Sequence, residues 1–221
     1  MIDVRDLTLD APDGRLLLEN LDLAVPKGGN LLVTGASGSG KSRLLRVIVG
    51  TERPARGQVR VGGKEVWPHG GAFALIGHLR IGFAFATGGL LSNLSLRDNV
   101  ALPLRFLGTP APEVERRTDE AMERLELTAV GGLRPHAVSA SARKHGNLAR
   151  VLALDPDLIL LDDPLEGLDL SDRATAQELI QGWGIDPSRT LLVATEESDS
   201  FAFLEAERLH LSQASLSVES P

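Results

Sequence analysis

Gly35-Ala36-Ser37-Gly38-Ser39-Gly40-Lys41-Ser42 satisfies the spacing G-x-x-x-x-G-K-[ST] at every required position. Glycines let a backbone curl so that successive N–H groups turn inward towards phosphate oxygens. Leu31-Leu32-Val33 immediately before reads as an apolar strand, and a helix is predicted from about Ser42 to near Gly50. A helix N-terminus offers free N–H groups and partial positive charge to an anion. Lys41 is therefore placed to reach the β- and γ-phosphates of a nucleoside triphosphate, and the Ser42 hydroxyl to hold Mg2+. The whole stretch Gly35 to Arg43 is the candidate nucleotide-binding segment. A glycine-rich turn that binds nothing is the plain alternative, and the strand before with the helix after weighs against it.

A second apolar strand, Leu158-Ile159-Leu160-Leu161, ends in Asp162-Asp163. A phosphate loop needs a carboxylate beside its metal, and such a strand end supplies one. Asp162 fits the metal side. Asp163 fits the orientation or deprotonation of an attacking water. Taken alone, the pair could merely end a strand and start a turn at Pro164.

Around these anchors, strands are predicted at Ile2–Leu9, Leu16–Val25, Gln58–Val61, Ile81–Phe85, Thr190–Ala194 and Arg208–Leu211, with a short polar tail from Ser212. Helical spacing occupies Leu96–Phe106, Val114–Leu127, Ala142–Ala153 and Ser171–Gln181. Val114, Ala121, Met122 and Leu125 share one helical face. Alternating strands and helices imply a mostly parallel α/β sheet, interrupted by a helical stretch.

Composition narrows the function further. Of 221 residues, 43% are hydrophobic and 24% charged, and 23 Lys plus Arg face 30 Asp plus Glu for a net charge of −7. An acidic chain with no basic cluster is unsuited to nucleic acid. There is no Cys, which excludes thiolate metal sites and Cys nucleophiles. His69, His78, His136, His145 and His210 lack metal-ligand spacing. Trp67, beside Pro68, reads as a packing residue. Met1–Asp6 has neither a basic n-region nor an apolar h-region, and no stretch reaches the length of a spanning helix. A cytoplasmic protein is expected.

Taken together, these residues resemble the nucleotide-binding subunit of ABC transporters over almost the whole chain. Ile2–Leu7 resembles the family's opening strand, Arg53–Val59 its turn after the phosphate-loop helix, and Gly167-Leu168-Asp169 its D-loop. Gly88–Ser95 and Asp98–Leu104 are most similar to the Mla- and Mce-associated lipid transporters, with lipoprotein-releasing transporters close by. The resemblance implies a P-loop NTPase (RecA-like) α/β core with a mostly parallel sheet, an N-terminal antiparallel β subdomain and an inserted α-helical subdomain. Residues 1–86 and 154–221 would form the β subdomain and core, and 87–153 the helical subdomain.

The departures from the family pattern are selective. The glutamine that senses Mg2+ and water falls at Ala86, whose methyl group coordinates nothing. The signature falls at Val138-Ser139-Ala140-Ser141-Ala142, where Ser139 keeps a hydroxyl for a partner's nucleotide while Ala140 and Ser141 replace glycines. The catalytic glutamate falls at Asp163, one methylene shorter, and the switch histidine at Glu196. No aromatic residue occurs between Met1 and Val66, so the ring that stacks on adenine is missing. Groups that grip a triphosphate are kept, and groups that complete its hydrolysis are altered. The resemblance implies a subunit binding ATP and Mg2+, paired with a transmembrane permease and a second nucleotide-binding subunit at the inner face of the plasma membrane. Slow or partner-dependent hydrolysis and a lipid or other hydrophobic cargo follow from the same comparison. The other reading is a nucleotide-responsive scaffold without turnover.

Overall fold

A computed structural model describes residues 1–67, 70–87 and 89–212, except the side chain of residue 73, together with the backbone of 216–219. His69, Gly88 and tail positions 213–215 and 220–221, all part of the readings above, lie outside the described residues. The chain divides into two compact units, one formed by Met1–Ile81, Asp157–Asp162 and Gln181–Pro221, the other by Gly82–Pro156 and Asp163–Ile180.

In the first unit, β1 (Ile2–Asp10), β2 (Leu16–Val25), β4 (Arg56–Val61) and β5 (Lys64–Glu65) form an antiparallel sheet ordered β2-β1-β4-β5. Ile2, Val4, Leu7 and Leu9 turn inward from β1. Their alternation slips between Val4 and Leu7, where the pairing register shifts and Asp6 adopts φ 50. β5 was not anticipated, because two residues carry no periodicity.

β3 (Asn30–Thr34), β7 (Leu158–Asp162), β8 (Thr190–Thr195), β9 (Glu207–Leu211) and β10 (Leu216–Glu219) run in the order β10-β9-β3-β8-β7. β3 pairs parallel with β8 and β9, and β7 parallel with β8. Every residue of β7 and β8 is buried. This is why both read as continuous apolar runs: a parallel strand covered on both faces has no polar side. β10 pairs antiparallel with β9, so part of the short polar tail is strand.

β6 (Ile81–Ala84) carries the chain into the second unit, which is dominated by helices α2 (Leu96–Phe106), α3 (Ala111–Arg124) and α4 (Ala140–Leu154) and by most of α5 (Leu170–Gly184). Val114, Ala121, Met122 and Leu125 are all buried, as their spacing predicts. On the outer side of α3, Arg116 pairs with Glu113 and Glu120, and Arg97 of α2 reaches Glu115 and Asp119. Among the described residues no helix is long and apolar enough to cross a membrane.

The start of α2 is held together locally. The Ser95 hydroxyl accepts from the Asp98 backbone N–H at 3.0 Å and caps α2. Asn99 is fully buried. Its amide accepts from Leu91 N–H at 2.6 Å and donates to Leu91 O and Ser95 O at 3.0 and 2.9 Å. Asn99→Ala leaves those backbone groups unsatisfied, and is expected to cost about 2–3 kcal/mol. A thermal melt should register this as a fall of roughly 4–10 °C.

Candidate functional site

β3 ends at Thr34 and the chain turns through Gly35–Gly40 into α1 (Lys41–Ile48). This puts the loop at the carboxyl ends of parallel strands, where open α/β sheets bind ligands. Two of its glycines are obligatory. A Cβ on Gly35 would strike the Leu211 carbonyl and come within 2.8 Å of Ser39 Oγ. Gly40 holds φ 103 just before the first helical residue, and no side chain caps α1 there. The first N–H groups of the helix therefore remain available to an anion. Ser39 Oγ is buried within the loop and has no hydrogen-bond partner.

Lys41 is only 5% exposed. Its ammonium donates to Gly35 O at 2.7 Å and Ala36 O at 3.0 Å, folding across the loop. Glu196 Oε1 lies 3.7 Å from the same nitrogen. That contact is fixed by strand register: Thr195 pairs with Thr34, so Glu196 follows β8 alongside the start of the loop. Ser42 Oγ donates to Asp162 Oδ1 at 2.8 Å, joining residues 120 positions apart. The two hard oxygen donors predicted for Mg2+ are thus side by side, a donor set that suits a cation which keeps waters and takes phosphate oxygens. An uncapped helix start, an orphaned loop hydroxyl and this oxygen pair together fit a nucleotide's phosphates with their metal. Arg43 pairs with Glu52 at 2.6 Å, which leaves its backbone N–H as its contribution to the loop. Leu17 lies beside Gly40.

The second unit gathers the other expected positions. Asp163 adopts φ 43, a left-handed conformation that Asp tolerates better than most residues. Lys144 Nζ donates to the carbonyls of both Ala86 and Asp163, each at 2.8 Å. Ala86, Thr87, Arg143, Lys144 and Glu166 line one cavity of about 380 Å3. Lys144 was missed by sequence reasoning; its only signal was a long cation one turn into the helix that starts at the signature. Ser139 Oγ accepts from Ala142 N–H at 3.0 Å and caps α4, with Ala140 and Ser141 in the first turn. Asp169 caps α5: its carboxyl is held below the usual range first by the Asp172 backbone N–H and then by the Ser171 hydroxyl. His145, set aside as a metal ligand, is buried with its ring nitrogens 3.0 and 3.1 Å from Leu125 O and Asp172 O. Among the described residues no cluster of three or more His, Asp or Glu could hold a metal by itself.

Comparisons with known proteins agree on one family. The family described as ABC transporter matches residues 18–166. The methionine import ATP-binding protein MetN of Caulobacter vibrioides is 36% identical over 200 residues, covering 90% of this chain and 60% of that protein. The lipoprotein-releasing system ATP-binding protein LolD of Chromohalobacter salexigens is 31% identical over 189 residues, covering 85% of this chain and 80% of the relative. An ATP-binding cassette solved as a dimer in a post-hydrolysis state with ADP and Pi superposes at TM-score 0.90 with 25% identity, over 100% of this chain and 98% of the other. The chain spans 60% of MetN and 52% of the Fe(3+) import protein FbpC of Photobacterium profundum.

Proposed function

This chain belongs to the ABC transporter family, and from that premise we propose that it is a nucleotide-binding subunit that grips Mg-ATP at Gly35–Ser42 and hydrolyses it slowly. The observation that carries the reading is the Ser42–Asp162 hydrogen bond at 2.8 Å beneath a helix start with no side-chain cap. Backbone N–H groups of the loop and the Lys41 ammonium would hold the phosphates, and Ser42 with Asp162 the metal. When bound, Mg2+ neutralises charge on the phosphate oxygens. Asp163 is the candidate for orienting water. Its carboxylate is one methylene shorter than a glutamate, and a retreat of about 1 Å at such a group costs on the order of 100-fold in rate. Ala86 offers water nothing.

In this reading two such subunits close over nucleotide, with the helix start at Ser139, Ala140 and Ser141 turned to the partner's phosphates and Asp169 at the D-loop. Closure would drive a permease from the cytoplasmic face of the membrane. The resemblance of Gly88–Ser95 and Asp98–Leu104 to lipid transporters and the match to LolD support a lipid or other hydrophobic cargo. A second reading, a nucleotide-responsive scaffold without turnover, draws on the Lys41–Glu196 contact, which puts a carboxylate where a phosphate would bind.

Phosphate release by the complex purified from native membranes separates the two. Slow release, reduced at least tenfold further by Asp163→Asn, is expected of the motor. ATP binding with no release above the Asp163→Asn background identifies the scaffold, and failure to bind nucleotide refutes both.

A further inference from the structure

We propose that Glu196 makes this loop prefer nucleoside diphosphates, because its carboxylate holds the Lys41 ammonium and competes with the terminal phosphate of a triphosphate for it. The proposal rests on the reading that the loop binds nucleotide, and concerns what the loop selects.

Lys41 is 5% exposed, and its surroundings account for the whole cation. Two of the three ammonium protons go to Gly35 O and Ala36 O, at 2.7 and 3.0 Å. Glu196 Oε1 lies 3.7 Å from the same nitrogen, beyond hydrogen-bond distance but within reach of an ion pair. Any phosphate that recruits Lys41 must therefore approach an ammonium already neutralised by a carboxylate. The backbone that carries this carboxylate stays in place while it does so. Glu196 cannot withdraw far along the chain, because Thr195 is paired with Thr34 in the buried sheet. The next residue is tied as well: Glu197 N–H donates to Thr195 Oγ1 at 3.0 Å, and Ser200 Oγ donates to Glu197 Oε2 at 2.9 Å.

The cost falls unequally on the two nucleotides. A diphosphate meets the Lys41–Glu196 pair only through its β-phosphate, and the N–H groups of the loop and Ser42, which do not involve Glu196, hold the rest of its charge. A triphosphate adds about one further negative charge and extends it towards the Lys41–Glu196 pair. Like charges about 5 Å apart repel strongly at the effective dielectric of a protein surface. Glu196 is 49% exposed, so solvent screens part of that repulsion. The net expectation is about a tenfold preference for the diphosphate, equivalent to about 1.4 kcal/mol.

The test measures binding of Mg-ADP and Mg-ATP to the purified full chain by calorimetry, at about 0.15 M and again at about 1 M salt. ADP is expected to bind about tenfold more tightly, with the ratio shrinking at high salt as screening increases. Glu196→Gln keeps the shape and removes the charge. It should improve ATP affinity at least fivefold more than ADP affinity, and Glu196→Ala should act in the same direction. Equal affinities in the wild-type chain, or an ATP-to-ADP ratio that neither variant moves while ADP still binds, would overturn the proposal and leave the nucleotide site standing. If ADP and ATP both fail to bind, the functional reading itself falls and takes the proposal with it.

Discussion

Lys41→Ala is expected to weaken nucleotide binding by about 100-fold or more, the largest loss of any single substitution in the loop. The ammonium is the one full positive charge buried in the loop, at 5% exposure. A charge-assisted contact with phosphate contributes about 1.5–3 kcal/mol. Each 1.4 kcal/mol is tenfold in affinity. Loss of the cation also leaves Glu196 without the ammonium 3.7 Å away, so its carboxylate repels phosphate directly. The two effects have the same sign and multiply. Calorimetry with ADP reads the loss, and circular dichroism checks that the fold survives. Lys41→Met, which retains the aliphatic volume, should lose affinity to the same extent. Wild-type affinity in a folded Lys41→Ala chain would mean that nucleotide binds elsewhere.

The triple variant Ala86→Gln, Asp163→Glu, Glu196→His should raise phosphate release at least 100-fold. Asp163→Glu returns the missing methylene and advances the carboxylate by about 1 Å, the larger part of the gain. Glu196→His replaces a repelling anion with a donor beside Lys41. Ala86→Gln adds an amide on a wall of the 380 Å3 cavity, which has room for it. Asp163→Glu carries a local cost, because Asp163 sits at φ 43, where Asp is favoured over longer side chains. A drop in melting temperature of a few degrees is therefore compatible with the gain. Adding Lys41→Ala to the triple variant should abolish the release and exclude a contaminating ATPase. If the triple variant binds ATP and releases no more phosphate than wild type, the altered positions are not what limits hydrolysis.

Much of the fold was legible because its signals are local or strongly periodic. The phosphate loop is defined by residue types over eight consecutive positions, and the strand and helix it requires flank it directly. β7 and β8 stood out because burial on both faces demands unbroken apolar runs. α4 extends over Ala140–Leu154 where 142–153 was predicted, because the Ser139 cap starts the helix earlier than its apolar spacing suggests. β10 was read as tail. Its Leu-Ser-Val-Glu run is short, and only its pairing with β9 makes it a strand.

The site divides the same way. Lys41, Ser42 and Asp162 were recognisable from their own neighbourhoods, and the Ser42 hydroxyl donates to Asp162 across 120 positions of chain. Glu196 could be named as an altered position. Its contact with Lys41 could not, because it depends on Thr195 pairing with Thr34 across the sheet. Lys144 gave still less notice, since its two acceptors are backbone carbonyls that every residue possesses.

By itself, then, the sequence determined that this chain has a phosphate loop in an α/β fold, and it singled out Ala86, Asp163 and Glu196 as the positions to test. The tertiary structure alone decided which of these groups touch: the Glu196 carboxylate against the Lys41 ammonium, and Lys144 across the carbonyls of Ala86 and Asp163. The reason is physical. Loop chemistry is written in adjacent residues, whereas a contact between side chains remote along the chain exists only once parallel strands have locked their register.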